Sequence, residues 1–124
     1  GTTPARARQI FDGDFTIRTV GSGKGSLYGA GLYFADSIVK ADEYSDADED
    51  GVYSMLLCRV LGGNVLYSAE DVPDGADLRA QVLHGFYDSV LGDREQVRGT
   101  FKEYMVYDAD HVYPAYEIRY RRVF

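Results

Sequence analysis

Apolar positions near the start of the chain recur at helical spacing. Thr3 followed by Pro4 is the pattern of an N-cap with proline in the first helical turn, so a helix is predicted to begin at Pro4. Its predicted inward face is formed by Ala7, Ile10 and Phe11. This amphipathic pattern predicts a short surface helix packed against a core.

The next segments alternate between strand-like and helix-like patterns. Residues 15–20 (FTIRTV) alternate as a strand does and run into the glycine-rich loop GSGKGS at residues 21–26. Residues 31–35 (GLYFA) predict a second short strand. A helix capped by Asp36 or Ser37 and running to about Tyr44 is then predicted.

The second half of the chain is richer in strands. Residues 53–61 (YSMLLCRVL) are almost continuously apolar, which predicts a central strand covered on both faces. Residues 75–83 predict at most a short helix, whereas residues 102–108 and 115–124 predict strands. Helices early and strands late favour an α+β fold with a mixed or antiparallel sheet.

Composition narrows the class of protein. With 124 residues, 45% of them hydrophobic, the chain is expected to form one soluble domain spanning residues 1–124, or a fragment of a larger one, since it begins at Gly1 rather than methionine. No apolar run approaches the ~18 residues of a membrane span, and the single cysteine, Cys58, favours an intracellular protein. A net charge of −7 argues against direct nucleic-acid binding, and the one basic cluster, Arg119, Arg121 and Arg122, is interpreted as decoration of a strand.

Two stretches and two isolated histidines carry ligand-binding side chains without the spacing that the chemistry needs. In GSGKGS, Lys24 is followed by glycine rather than by the Ser or Thr of a P-loop. The acidic run at residues 46–51 begins like a calcium loop, but Leu57 occupies the position of its bidentate glutamate. His84 and His111 have no partners at zinc-ligand spacing, so no metal site is expected.

Glu103 is the most informative single residue. Strand alternation places it on one face between Phe101 and Met105. A carboxylate there is costly if it is buried without a hydrogen bond, an ion pair or a chemical role. Periodicity leaves two interpretations open, a partly open edge strand and a functional carboxylate.

Two long segments resemble one enzyme family. Residues 26–45 (SLYGAGLYFADSIVKADEYS) are similar to the central signature of the poly(ADP-ribose) polymerase catalytic domain, in a tankyrase-like form. Residues 103–120 (EYMVYDADHVYPAYEIRY) resemble its terminal strands, which open with a catalytic glutamate. The opening GTT is similar to the residues directly after the histidine of the family's His-Tyr-Glu triad. The resemblance covers essentially the whole chain and implies the ADP-ribosyltransferase fold.

The resemblance assigns roles to individual residues. Tyr33 and Glu103 correspond to the triad tyrosine and glutamate, and Tyr44 to the tyrosine that sandwiches the nicotinamide ring of NAD against Tyr33. Gly1 corresponds to the glycine whose backbone grips the carboxamide, and Thr2 to a hydroxyl near the adenosine ribose.

Other parts of the site match less closely. Residues 18–26 fall where the family has a donor loop over NAD. Ala41 stands where the family commonly has a serine whose hydroxyl bonds the carboxamide. The triad histidine would precede Gly1.

The implied activity is transfer of ADP-ribose from NAD, the substrate, to an acceptor that is expected to be protein, with release of nicotinamide. Glu103 would stabilise the positive charge that develops on the ribose. Two alternatives stay open: a catalytically silent module that binds protein or an ADP-ribose-like ligand, and an NAD glycohydrolase. Glu103, Tyr33 and Tyr44 favour an enzyme, whereas Ala41 and the lack of a triad histidine among residues 1–124 favour the silent module.

Overall fold

The structure is a computed structural model that describes residues 1–13, 15 and 27–123. Its elements are α1 (Pro4–Asp12), β1 (Leu32–Phe34), α2 (Ile38–Asp42), β2 (Tyr53–Val60), β3 (Val65–Ser68), α3 (Gly75–His84), β4 (Ser89–Asp93), α4 (Arg94–Arg98), β5 (Lys102–Val106) and β6 (Val112–Tyr120), with a 3₁₀ turn before β6. This arrangement is α+β, as predicted. The strand predicted over residues 15–20 and the donor loop predicted over residues 18–26 lie outside the described residues, apart from Phe15.

Helix α1 begins where the sequence predicts. The Thr3 side chain accepts a hydrogen bond from the Arg6 N–H at 3.2 Å, and Pro4 occupies the first turn. Ala7 is fully buried where α1 packs on β2 and β6. Phe11 is 42% exposed, so its predicted inward position is wrong.

Four strands form the sheet that carries the core, in the order β1-β5-β4-β3. Strand β5 pairs antiparallel with β1 and β4, and β4 pairs parallel with β3. The core is a cluster of buried side chains on one face of this sheet: Tyr28, Leu78, Val90, Met105 and Tyr107. Helix α3 covers that face through Leu78. It begins where the sequence predicts and extends one residue further, and Asp74 caps it by accepting from the Asp77 N–H at 3.1 Å.

Strands β2 and β6 form a separate antiparallel ribbon with a bulge between Leu57 and Cys58. Among the strands of the described part of the chain β2 pairs only with β6, and its one further pairing there is an isolated bridge between Ser54 and Thr2. Leu57 is 55% exposed opposite an exposed Tyr116. The prediction of a central strand covered on both faces is therefore wrong. An apolar run in the sequence indicates a hydrophobic strand, but it does not indicate how many other strands pair with it. Pro114 lies inside β6 opposite Cys58, where the bulge tolerates its missing N–H.

Candidate active site

The loop that precedes β1 is held by two tyrosine hydroxyls. Gly29 has φ +88°, a conformation that favours glycine, and a side chain at Gly31 would place its Cβ 2.6 Å from the Tyr107 ring. The Tyr107 hydroxyl donates to the Tyr28 carbonyl at 2.6 Å. The Tyr33 hydroxyl donates to the Gly29 carbonyl at 2.6 Å and accepts from the Tyr28 N–H at 2.8 Å. The glycines in this motif therefore let the backbone fold closely around the ring of Tyr33.

The Tyr33 side chain can offer an aromatic ring to a ligand, but its hydroxyl does not titrate at neutral pH. Burial raises the pKa of its hydroxyl, so the group stays protonated at neutral pH and cannot serve as a base. Its ring packs against the buried core and lies 6.4 Å, centroid to centroid, from the ring of Tyr28.

Glu103 lies on the same sheet face as Tyr33. In the β1–β5 pairing Tyr33 is opposite Met105, and Glu103 is two residues before Met105 on β5. On the other side of β5, Glu103 is opposite Gly92 of β4, whose missing side chain leaves room for the Tyr28 ring. The structure thus brings the two catalytic residues assigned by resemblance to one face, near the end of β1 that leads into α2.

Glu103 is partly withdrawn from solvent, and three charged side chains act on its carboxyl. The side chain is half-buried, and burial raises the pKa of its carboxyl, an effect opposed by Lys40 and Arg94 and reinforced by Glu43. Within the described part of the chain no hydrogen bond and no ion pair within 4.0 Å occupies the carboxylate. A carboxylate in such surroundings is typical of a functional site.

Lys40 links Glu103 to Tyr44, and sequence analysis did not single it out. Its ammonium group lies 3.1 Å from the Glu43 carboxylate and 5.4 Å from the centroid of the Tyr44 ring, and it interacts electrostatically with Glu103. Lys40 precedes Tyr44 by four residues on a predicted helix, and this spacing could have indicated from the sequence that the two side chains are neighbours. Arg94, the other cation near Glu103, offered no such signal.

Helix α2 presents Ala41 and Tyr44 together. The helix ends at Asp42, two residues before the predicted end, and a turn continues through Tyr44, whose N–H donates to the Ala41 carbonyl at 3.2 Å. Tyr44 is 36% exposed. Ser37 is the N-cap residue, but its side chain makes no capping hydrogen bond.

Gly1 and Thr2 lie beside α2 through a shared acceptor. The Ser54 carbonyl accepts from the Thr2 N–H and from the Ser45 hydroxyl, both at 3.1 Å. A side chain at Gly1 would overlap the Ala41 carbonyl oxygen. Of the residues assigned to NAD by resemblance, Gly1, Thr2 and Ala41 therefore lie together beside the segment that carries Tyr44. Lys40 on that segment interacts electrostatically with Glu103.

Comparison with known proteins identifies the family. The family model described as the poly(ADP-ribose) polymerase (PARP) catalytic domain matches residues 1–122. This chain belongs to the PARP catalytic-domain family. The family uses NAD as its substrate.

Two relatives of the PARP domain come from Arabidopsis. Over 102 residues the chain is 29% identical to a protein named "Probable inactive poly [ADP-ribose] polymerase SRO1" of Arabidopsis thaliana, which covers 79% of this chain and 16% of that protein. The solved PARP domain of Arabidopsis RADICAL-INDUCED CELL DEATH1 is 26% identical with a TM-score of 0.56, covering 85% of this chain and 53% of that structure. This PARP chain thus spans about half of the solved domain that it resembles.

Metal-binding clusters and membrane-spanning helices are both absent from the part of the chain that the structure describes. No group of three or more His, Cys, Asp or Glu side chains there could hold a metal ion. In the same residues, no helix is both long and apolar enough to cross a membrane.

Proposed function

We propose that this PARP domain binds NAD with the nicotinamide ring between Tyr33 and Tyr44 and transfers ADP-ribose to a protein acceptor. The observation that carries the proposal is the half-buried Glu103 carboxylate on the same sheet face as Tyr33, with a raised pKa and no ion-pair or hydrogen-bond partner among the described residues. A group in this state is available to interact with substrate.

The residues fit the chemistry of the glycosidic bond. The bond between ribose C1′ and nicotinamide breaks with its electron pair leaving on nicotinamide, and positive charge develops on the ribose. The Glu103 carboxylate stabilises that charge, and it accepts the proton when the acceptor forms the new bond to C1′. The rings of Tyr33 and Tyr44 offer aromatic faces for the flat leaving group.

A catalytically silent module is the competing candidate. The curated relative is named as probably inactive, and Ala41 supplies no hydroxyl for the carboxamide. Such a module would keep the aromatic surfaces of Tyr33 and Tyr44 and bind NAD or an ADP-ribose-like ligand without turnover. An NAD glycohydrolase, with water as acceptor, is distinguished by its product.

The test is incubation of the chain with NAD labelled in the adenosine moiety, with separation of protein-bound label from free ADP-ribose. Protein-bound label would support the transferase. Free ADP-ribose without protein-bound label would support the glycohydrolase, and NAD binding without turnover would support the silent module. Glu103→Gln is expected to lower transfer about 10²–10³-fold while leaving a benzamide-type nicotinamide mimic bound, because the charge acts mainly in the transition state. Glu95→Gln, an exposed glutamate on α4, is the matched control. Transfer by Glu103→Gln at the parental rate contradicts the assigned role.

A further inference from the structure

Helix α2 lacks the usual means of holding a helix in place. It has five residues, none of them buried, and Ile38 and Val39 are 73% and 65% exposed. A helix this short is not stable by itself in water, and without a buried face it gains little from hydrophobic packing. Other contacts must set its position.

Those contacts converge on the end of α2. The Asp42 carboxylate accepts hydrogen bonds at Oδ1 from the Tyr120 hydroxyl and, at 3.1 Å, from Arg122 Nε. Arg122 Nε also lies 3.0 Å from Asp42 Oδ2, so the two side chains form an ion pair. Arg122 Nη2 donates to the carbonyls of Asp42 at 2.9 Å and Ser45 at 3.4 Å. A cation thus binds two carbonyls at the C-terminal end of the helix, where the helix dipole favours positive charge. The interpretation of Arg122 as strand decoration is wrong, since β6 ends at Tyr120.

The same side chains rest on the β2–β6 ribbon. The rings of Tyr53 and Tyr120 stack with centroids 5.6 Å apart, and the Arg122 guanidinium lies 4.2 Å from the Tyr53 centroid. Hydrogen bonds from Tyr120 and Arg122 lower the pKa of the Asp42 carboxyl, which keeps it charged at neutral pH.

We propose that Asp42, Tyr53, Tyr120 and Arg122, here called the α2 anchor, position helix α2 so that Ala41 and Tyr44 face the nicotinamide of NAD. The inference rests on the proposed function for the ligand. Its geometric basis is that Arg122 holds the carbonyls of Asp42 and Ser45, which flank Tyr44 on both sides. The anchor therefore fixes the segment from which the Tyr44 ring projects.

The anchor is separate from the hydrophobic core. The core cluster lies on the four-stranded sheet, and none of the four anchor residues belongs to it. Removing the anchor should therefore displace α2 while the rest of the domain stays folded.

The experiment compares Arg122→Gln with Arg121→Gln. Arg121 is the matched control because its side chain donates to the Asp50 carbonyl, at 3.0 Å and outside α2, and has no other hydrogen bond or ion pair among the described residues. Arg122→Lys keeps the charge but loses the planar fork, and Tyr120→Phe keeps the stacked ring but loses the bond to Asp42. Calorimetry measures dissociation constants for a benzamide-type mimic and for ADP-ribose, and hydrogen exchange of the free protein follows the amides of Ala41, Tyr44 and Ser45.

If the binding-competent position of α2 falls to about a tenth of the population, the dissociation constant for the mimic rises about tenfold. ADP-ribose, which lacks nicotinamide, should be much less affected, the three amides should exchange faster, and Arg122→Lys should be intermediate. Three results would each overturn the proposal. Amide exchange could be unchanged in Arg122→Gln, this variant could lose affinity equally for both ligands, or Arg121→Gln could lose as much affinity as Arg122→Gln.

Failure of the proposed function has a different signature. A parental protein that binds both ligands without turnover leaves the comparison above unchanged, whereas one that binds neither leaves amide exchange as the measurement that tests the anchor. Faster exchange confined to residues 41–45 would support it, and unchanged exchange would overturn it.

Discussion

Glu103 is held in surroundings that disfavour its charge. The carboxylate is half-buried, and its pKa is raised by burial even though Lys40 and Arg94 act in the opposite direction. The ionised carboxylate therefore has a higher free energy in the folded than in the unfolded protein, so it lowers the stability of the fold. Residues that lower stability in this way are typical of functional sites.

Glu103→Gln should therefore raise the melting temperature at neutral pH. Because the folded-state pKa is raised, the contribution of this carboxyl to stability is fully present below its unfolded pKa, about 4.3, and is lost as pH rises through the folded value. The gain from glutamine should accordingly be absent near pH 4 and grow towards pH 7. Thermal denaturation from pH 4 to 8 measures it, with Glu95→Gln expected to show no such trend. A variant less stable than the parent at pH 7 would contradict the sign.

Two core tyrosines offer a second comparison. The Tyr28 hydroxyl is buried and makes no hydrogen bond of normal geometry among the described residues. The charge and the hydrogen-bonding groups of the nearby Arg94 side chain partly oppose the rise in its pKa that burial causes. The Tyr107 hydroxyl donates to the Tyr28 carbonyl at 2.6 Å. Tyr107→Phe should destabilise the fold by about 1–3 kcal/mol, because it leaves a buried carbonyl unsatisfied. Tyr28→Phe should be neutral or stabilising. Urea unfolding of both variants tests the pair, and a larger loss for Tyr28→Phe would show that its hydroxyl has a partner.

At the scale of elements, the sequence predicted what depends on local signals. The Thr3-Pro4 cap, the short strand β1 and strand β5 follow from capping and alternation, and the structure has all three. The predicted position of β2 in the centre of a sheet was wrong, because strand pairing depends on distant residues and cannot be predicted from a local pattern.

The residues of the candidate site also differ in whether a local sequence motif identifies them. Tyr33, Tyr44 and Glu103 stand in motifs and could be named from the sequence. Arg122 could not, because its partner Asp42 is 80 residues away and the pairing depends on where β6 ends.

Ala41 provides a prediction about helix α2 as an element. Ala41 and Tyr44 are joined by a backbone hydrogen bond of 3.2 Å, so a hydroxyl at position 41 lies on the segment that presents Tyr44. Ala41→Ser should tighten binding of a benzamide-type ligand by about 0.5–1.5 kcal/mol through a new hydrogen bond. The helix-propensity cost is smaller, a few tenths of a kcal/mol, so stability should hardly change.

Ser37→Ala is the control for that experiment. The Ser37 side chain makes no capping hydrogen bond, so its loss should affect helix α2 little. A clear loss of ligand affinity in Ser37→Ala with no gain in Ala41→Ser would show that Ser37 supplies the hydroxyl to the carboxamide.

At the scale of the whole molecule, the candidate site draws on both sheets. Tyr33 and Glu103 belong to the four-stranded sheet, whereas Gly1, Thr2 and the end of α2 are tied to the ribbon through Ser54 and Arg122. A ligand that contacts both groups binds only when they are correctly placed, so it should stabilise their arrangement.

Hydrogen exchange with and without a benzamide-type ligand tests this coupling. The amides of Thr2, Ala41 and Tyr44 are hydrogen-bonded to Ser54, Ser37 and Ala41, and they exchange when those contacts open. If ligand binds only the closed arrangement, their exchange should slow about 100-fold at a ligand concentration 100 times the dissociation constant. Helix α3 contributes no residue to the candidate site, so its amides should slow only to the extent that they exchange through global unfolding. Protection at Ala41 and Tyr44 without protection at Thr2 would mean that the ligand contacts α2 but not the start of the chain, and would remove Gly1 and Thr2 from the site.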